Sequence, residues 1–192
     1  MSMLQLHESR GTTMAFLTEL GEVLHEEHFR ILVFLCGLDR RVTGRAAEQP
    51  LDPRNAEECA ELEQLIACLD ELIGHNAFEE AVFYPLIWEG GEGELTALLT
   101  EEHATISPLT KSLRHDAAEL LRYGIGAGRW PTFCRVAQKF VAKMMLHVER
   151  EELTFVQRLS FFVDADLDHR LAVEHGAERL QHTFGATFHD VA

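Results

Sequence analysis

The chain has little of what marks several common protein classes. No apolar run approaches the ~20 residues that a membrane-spanning helix needs, which argues against a membrane protein. Basic residues are few: 17 lysines and arginines stand against 32 aspartates and glutamates, and the net charge is −15. This acidity argues against a nucleic-acid or anionic-membrane partner. The amino-terminal residues lack a basic region followed by an apolar core, so we expect no secretory signal and a cytoplasmic location.

Cysteine is also sparse, and none of the cysteines forms a Cys-x-x-Cys pair. Their neighbours are apolar and helix-like, which predicts buried free thiols. If Cys59 and Cys68 share a helix, they lie ~13 Å apart along its axis, too far for a disulfide. The four cysteines are Cys36, Cys59, Cys68 and Cys134.

Apolar residues at helical spacing are plentiful. Hydrophobic residues make up 46% of the 192 positions, enough to bury one core, and we expect a single domain over residues 1–192. The spacing predicts an all-α, up-down-up-down four-helix bundle over about 13–160, with an additional C-terminal helix over about 164–182. The predicted bundle helices span 13–41, 55–88, 94–123 and 131–160.

Local signals refine these helices. Asn55 is a predicted N-cap of the second helix, and Asp164 or Asp166 could cap the C-terminal one. Pro85 is expected to bend only the last turn of its helix, and Pro108 to kink the third helix. The last ten residues are expected to be loosely ordered.

One polar pattern occurs twice in the chain. The stretches at 75–83 and 147–155 share His-x-x-x-Glu-Glu-x-x-Phe, and each is preceded by a Glu-Glu-His triplet, ending at His28 or at His103. The interval from triplet histidine to motif histidine is 47 residues in the first half and 44 in the second. This near-equality predicts an internal duplication of a helical hairpin.

The repeated residues have the chemistry and spacing of metal ligands. Side chains four residues apart lie on one face of a helix, and all four motif histidines fall on apolar stripes. A single histidine there is more often a hydrogen-bonded core residue than a ligand. Two carboxylates buried without a cation are hard to justify, however, and the duplication favours a dinuclear metal site. The predicted ligands are His28, His75, Glu79, His103, His147 and Glu151.

The donor types restrict the metal. Nitrogen and oxygen donors without thiolate suit iron, manganese, zinc or copper. Two bridging carboxylates, two histidines on each ion and a bridging oxo or hydroxo group would give five-coordinate ions with room for an exogenous ligand. A structural zinc site is more often closed by four ligands.

The order His, His-x-x-x-Glu, His, His-x-x-x-Glu on four helices resembles the hemerythrin-like (HHE cation-binding) domain, over about residues 13–160. The resemblance implies a non-haem di-iron centre in a four-helix bundle, held by the same six residues, with Glu79 and Glu151 bridging. It also implies a small partner, either a diatomic ligand such as oxygen or nitric oxide, or peroxide.

Two positions depart from the oxygen-carrying hemerythrins. Ser107 stands where they have a further histidine, and Glu151 follows His147 by four residues where they have an aspartate after five. The four-His, two-Glu pattern instead resembles bacterial proteins linked to oxygen, nitric oxide or iron sensing and to repair of damaged iron centres. Those proteins often carry an N-terminal cysteine-bearing extension, which is not seen in this sequence.

Three functions therefore stay open. The leading hypothesis is a di-iron protein that binds or senses oxygen or nitric oxide. The second is an enzyme acting on peroxide or Fe(II) at the same centre, or an iron-centre repair protein. The third is a zinc-bound or metal-free interaction module. No catalytic side chain and no protein partner are assigned.

Other polar residues are given smaller roles. His25 lies one turn before His28, but Thr100 holds the matching position of the second half, which favours a non-ligand. Tyr84 and Tyr123 are candidates for the surroundings of the site.

The remaining acidic and histidine residues are predicted to face solvent. For the acidic neighbours of the ligands, hydrogen bonding to ligand histidines is the alternative. These neighbours are Glu27, Glu80, Glu102 and Glu152, and the histidines predicted on the surface are His169, His175 and His182.

Overall fold

The computed structural model describes residues 17–124 and 128–188, and all regular structure in these ranges is helical. Five helices pack as a bundle, and a C-terminal helix lies against α1. A π-helical turn (Glu79–Phe83) joins α2 to α3, and short 3-10 helices cover Gly44–Glu48 and Val156–Phe161. The six helices are α1 (Glu19–Val42), α2 (Ala56–Phe78), α3 (Tyr84–Glu89), α4 (Gly93–Tyr123), α5 (Trp130–Thr154) and α6 (Ala165–Phe188).

The predicted helices are all present, and their ends differ from the predictions for local reasons. α1 begins at Glu19, because Thr18 is extended and its hydroxyl accepts a hydrogen bond from the Gly21 N–H. The predicted helix starts at residue 13, and residues 13–16 lie outside the described range. α5 ends at Thr154 and is followed by a 3-10 helix. α6 runs to Phe188, past the predicted end at 182. Residues 189–192, at the end of the tail predicted to be loosely ordered, lie outside the described range.

Two of the predicted caps are confirmed. The Asn55 side chain accepts a hydrogen bond from the backbone N–H of Glu57 at 3.0 Å. The Asp164 carboxylate accepts one from Leu167 N–H at 2.8 Å, so Asp164 caps α6. α4 continues through Pro108 as one helix. None of the described helices is long and apolar enough to cross a bilayer.

The helix change before Pro85 begins earlier than predicted. Pro85 has no N–H, and in a regular α-helix its ring would clash with the carbonyl four residues back. The chain widens into the π turn, in which the Tyr84 N–H bonds to the Glu79 carbonyl five residues earlier. The prediction that Pro85 bends only the last turn of its helix is therefore wrong, because the π turn begins at Glu79. The wider turn also places Tyr84 one turn beyond Glu79 on the same side.

Two apolar clusters lie at the two ends of the bundle. One contains Leu35, Leu72, Ile106 and Met144; the other contains Leu24, Phe83, Leu99 and Phe155. Along each of the four ligand-bearing segments, the predicted ligand histidine falls between a residue of one cluster and a residue of the other. The polar site is thus enclosed by apolar layers on both sides.

The cysteines are free thiols, as predicted, but their burial differs from the prediction. Only Cys134 is buried, Cys36 is exposed, and Cys59 and Cys68 are intermediate. An apolar neighbourhood in sequence does not place every position of a helix on its inner face, because α1 presents Leu35 inward and the next residue outward.

Candidate metal centre

The structure brings the six predicted ligand residues together in the middle of the bundle. They form two groups of four that share both glutamates, and within each group one donor atom per residue lies within 4.8 Å of the others. All six side chains are at most 5% exposed. The first group is His28, His75, Glu79 and Glu151, and the second is Glu79, His103, His147 and Glu151.

The Nε2 atoms of the four histidines all face the two shared carboxylates. In the first group, His75 Nε2 lies 3.1 Å from Glu79 Oε1, and His28 Nε2 lies 3.5 Å from Glu151 Oε2. In the second, His103 Nε2 lies 3.5 Å from Glu79 Oε2, and His147 Nε2 lies 3.4 Å from Glu151 Oε2. The two oxygens of Glu79 therefore point to different groups, as a bridging carboxylate requires.

The Nδ1 atom of each of these four histidines forms a hydrogen bond with a glutamate on a neighbouring segment. A glutamate of α1 contacts the histidine of α2, and a glutamate of the π turn contacts the histidine of α4. A glutamate of α4 contacts the histidine of α5, and a glutamate of α5 contacts the histidine of α1. The four carboxylates therefore form a ring around the site. The pairs are His75 with Glu27 at 2.8 Å, His103 with Glu80 at 2.9 Å, His147 with Glu102 at 3.1 Å and His28 with Glu152 at 2.7 Å.

These contacts correct the predicted solvated acidic face. Glu27 is buried, and Glu80, Glu102 and Glu152 are partly exposed but still hold a ligand histidine. The sequence signal was the Glu-Glu doublet: the residue beside a ligand is rotated by ~100° and points to the adjacent helix. There it meets the next histidine.

The hydrogen-bond chemistry leaves the centre short of positive charge. An ionised carboxylate only accepts, so each Nδ1 must carry the proton, and neutral imidazole then leaves Nε2 as a bare acceptor. His103 Nε2 and His147 Nε2 approach each other to 2.8 Å, and bare Nε2 atoms face carboxylate oxygens elsewhere. Cations between them relieve this repulsion. The site fits a metal pair, because several inward-facing atoms find no hydrogen-bond partner among the described residues: His28 Nε2, His75 Nε2, both Glu79 oxygens and Glu151 Oε2.

Protons can partly serve as these cations in the metal-free protein. Burial alone would lower the pKa of His75, but the charge of Glu79 and the hydrogen bond with Glu27 raise it to about 9. Burial alone would raise the pKa of Glu79, but His75 and His28 hold it well below its usual range. Burial lowers the pKa of His103 and the charge of His147 adds to this effect, so His103 takes up a proton less readily than a free imidazole.

Tyr84 is a further member of the site. Its buried hydroxyl donates a hydrogen bond to Glu151 Oε1 at 2.6 Å and lies 3.1 Å from His103 Nε2. Burial, together with the nearby charges of Glu79 and Glu151, raises the pKa of Tyr84 far above its usual value, so the hydroxyl keeps its proton. Tyr84 also lines an open groove of about 490 Å³, whose other lining residues include Glu80, Trp88, Thr96 and Thr100.

The other residues considered from the sequence divide clearly. His25 is exposed and bonds to Glu152 at 2.9 Å, outside both groups, and Tyr123 is exposed. His169 is exposed and pairs with Glu19. His175 is 4% exposed, so the prediction that it lies on the surface is wrong. The side chain of His182 lies outside the described part of the chain.

Comparison with known proteins agrees with this geometry. Residues 19–159 match the sequence profile of one family, described as Hemerythrin HHE cation binding domain. The match contains all six converging residues and ends before α6. Neither a curated protein nor a solved structure matches the chain.

Proposed function

We propose that this chain, which belongs to the hemerythrin HHE cation-binding domain family, holds two iron ions and uses them to bind or sense oxygen or nitric oxide. One observation carries the proposal: two buried four-residue donor groups share Glu79 and Glu151. The residues that would hold the ions are His28 and His75 on one side, His103 and His147 on the other, and the two glutamates between them.

The donor set supports iron and an open centre. Each group offers two imidazole nitrogens and two shared carboxylates, with no thiolate. Iron in such a set supplies one-electron chemistry and a position for a small ligand. The residues of the chain exclude water from the centre, fix the Nδ1 proton of every histidine, and balance the charge of the ions with two carboxylates.

The groove supports access from the side of His103. Glu80 and Tyr84 both line it, and both contact His103. Tyr84 therefore lies between the groove and the second group, with its hydroxyl on the side of His103 and Glu151. From there it can donate a hydrogen bond to a small molecule that reaches the centre.

Metal analysis with an optical spectrum tests the proposal. Aerobically purified protein should contain two iron ions per chain and show charge-transfer bands from an oxo or hydroxo group to iron. Zinc alone, or no metal after growth in iron-rich medium, would contradict the di-iron centre and favour the interaction module.

The reaction with oxygen is expected to be fast and irreversible. Ser107, one turn after His103, is a neutral hydroxyl and a weak iron ligand, so six protein ligands leave the ions unsaturated. The reduced protein should bind nitric oxide readily and oxidise in air without storing oxygen. Stopped-flow mixing of the reduced protein with oxygen checks this, and Ser107→His should slow the oxidation. Reversible oxygen binding that persists for hours would contradict the expectation.

An enzyme acting on peroxide or Fe(II) is the second candidate, and Tyr84 favours it. Its buried hydroxyl, 2.6 Å from Glu151 Oε1 and 3.1 Å from His103 Nε2, can hold a peroxide at the centre by a hydrogen bond. Repeated turnover with hydrogen peroxide or with Fe(II) and oxygen would identify the enzyme. A single stoichiometric reaction would favour the binder or sensor.

Tyr84→Phe is expected to speed ligand entry. The substitution removes the hydroxyl that contacts His103 Nε2 and leaves Glu151 Oε1 without this donor, so the ring is held less firmly between the groove and the centre. Nitric oxide should bind the reduced protein roughly tenfold faster, the equivalent of one hydrogen bond to a charged group. Tyr123→Phe is the matched control, because Tyr123 is exposed. Equal rates in both variants would mean that Tyr84 does not restrict entry.

A further inference from the structure

We propose that α6, which lies beyond the family-matched residues, completes the metal centre: His175 is a positioning residue that holds Glu27 and, through it, the His75 ligand. The inference rests on the proposed function, because it concerns one of the proposed ligands. It assigns to the C-terminal helix a role in one half of the centre, the group that contains His28 and His75.

The contact chain from α6 to the centre is continuous and buried. His175 Nε2 lies 3.0 Å from both carboxylate oxygens of Glu27, and Glu27 Oε2 lies 2.8 Å from His75 Nδ1. All three residues are at most 5% exposed. The position of one oxygen of Glu27 is therefore set from two sides, by the ligand histidine and by α6.

The ring of His175 is held in its own place. It stacks on Phe78, with ring centroids 3.9 Å apart and an interplanar angle of 26°. Phe78 is the last residue of α2, directly before Glu79. The stack thus ties α6 to the segment that carries both His75 and the shared carboxylate.

α6 is fixed on α1 by the same face that carries His175. The carboxylate of Asp168 accepts the backbone N–H groups of Glu19 at 2.8 Å and of Leu20 at 3.3 Å, at the beginning of α1. Leu171 packs into the apolar cluster that contains Leu24 and Phe155. Asp168, Leu171 and His175 recur at steps of three and four residues, so they lie on one helix face. The negative charge at the start of α1 also favours this docking.

The other three glutamates of the ring are held differently. Glu152 has exposed His25 as its second partner, and Glu102 pairs with Arg150 of the helix that also carries His147. Glu80 is about half exposed. Glu27 is the buried member of the ring, and its second histidine comes from outside the bundle. Loss of His175 should therefore weaken one half of the centre and leave the other.

Titration of the full-length apoprotein with Co(II), in competition with a chromophoric chelator, tests this. His175→Phe keeps an aromatic ring on Phe78 but removes the hydrogen bond to Glu27. It should lower the affinity for one of the two Co(II) ions roughly threefold to tenfold, which is less than the effect of removing a glutamate that contacts the ligand histidine directly. His175→Gln keeps a donor and should lose less. His169 lies on the same helix but forms an exposed ion pair with Glu19, so His169→Phe should bind both Co(II) ions with unchanged affinity.

A second measurement separates positioning from stability. In a Glu27→Gln background, His175→Phe should cause no further loss of Co(II) affinity, because the path through Glu27 is already broken. A purely structural role would lower the melting temperature of the apoprotein and weaken both ions equally in both backgrounds, which would overturn the inference. If His175→Phe does not fold, the same comparison of Co(II) affinities with His175→Gln, alone and combined with Glu27→Gln, distinguishes the two roles.

Failure of this inference differs from failure of the proposed function. If the unchanged protein binds no pair of Co(II) ions, the dinuclear centre is wrong and this inference falls with it. If it binds two and His175→Phe binds both equally well, the centre stands and only the role of α6 is wrong.

Discussion

Glu79→Ala is expected to remove both metal ions from the protein, whereas Glu80→Ala should keep the ion held by His28 and His75. Glu79 is fully buried, and its two oxygens face different groups: His75 at 3.1 Å on one side and His103 at 3.5 Å on the other. One substitution therefore takes a donor and a negative charge from both ions. Glu80 contacts His103 at Nδ1, away from the atoms that would bind metal. Its loss should lower the affinity for one ion roughly 10–100-fold.

The control must separate charge from volume. Glu79→Gln keeps the size of the side chain but cannot balance two cations, so it should lose metal as Glu79→Ala does. Glu80→Gln should behave as Glu80→Ala. Elemental analysis after dialysis, with circular dichroism to verify helix content, measures both sets. Equal metal loss in the Glu79 and Glu80 variants would show that the first glutamate of the doublet is not the bridging one.

The ligand geometry could be predicted because it depends on short-range periodicity. A helix places residues four apart on one face, and the duplicated intervals place two such faces opposite each other. His75 with Glu79 and His147 with Glu151 therefore converge however the loops are built, provided that the four helices form a bundle. The family match and the all-helical fold confirm the predicted family and fold class, whereas the role of the six residues as metal ligands stays a prediction.

Tyr84 could not be placed from periodicity. In a regular α-helix, a residue five positions after Glu79 is rotated by ~140° and faces away from the site. The π turn adds one residue to the turn and brings Tyr84 back over Glu79. Pro85 marked a disturbance, but its position in the sequence does not say that the disturbance begins at Glu79.

The glutamate ring and His175 depend on which segments are neighbours in space. The partner of each Nδ1 comes from another segment, so the sequence of one helix cannot identify it. The contact of His175 with Glu27 joins residues 148 positions apart and requires α6 to lie on α1. A weakly amphipathic C-terminal segment did not indicate that docking, and its histidines were therefore predicted to lie on the surface.

The metal-free protein is expected to lose stability as the pH rises from about 6.5 to about 9. The pKa of His75 is about 9 in the folded protein against an ordinary 6.5, because Glu79 and Glu27 oppose the effect of burial. A raised histidine pKa contributes stability that is fully present below the unfolded value and is lost as the pH passes the folded value. The shift corresponds to roughly 3 kcal/mol in the free energy of unfolding.

Neighbouring groups define the window. Carboxylates raise the pKa of His28 as well, so its contribution has the same sign. The lowered pKa of Glu79 contributes stability above its ordinary value of 4.5 that is lost in acid. The lowered pKa of His103 has the opposite effect and reduces stability as the pH falls below 6.5. The metal-free protein should therefore be most stable close to pH 6.5 and lose stability on both sides of it.

The loaded protein should respond in the opposite direction, because protons and metal ions compete for the same Nε2 atoms. Metal affinity should rise as the pH approaches 9, with protons released on binding. Urea unfolding of chelator-treated and loaded protein at several pH values between 6 and 9 measures both trends. Glu79→Gln is the control, since removing the charge that raises the pKa of His75 should flatten the metal-free curve. Rising stability of the metal-free protein across this range would mean that the histidines of the centre are neutral there, and that protons do not take the place of the metal ions.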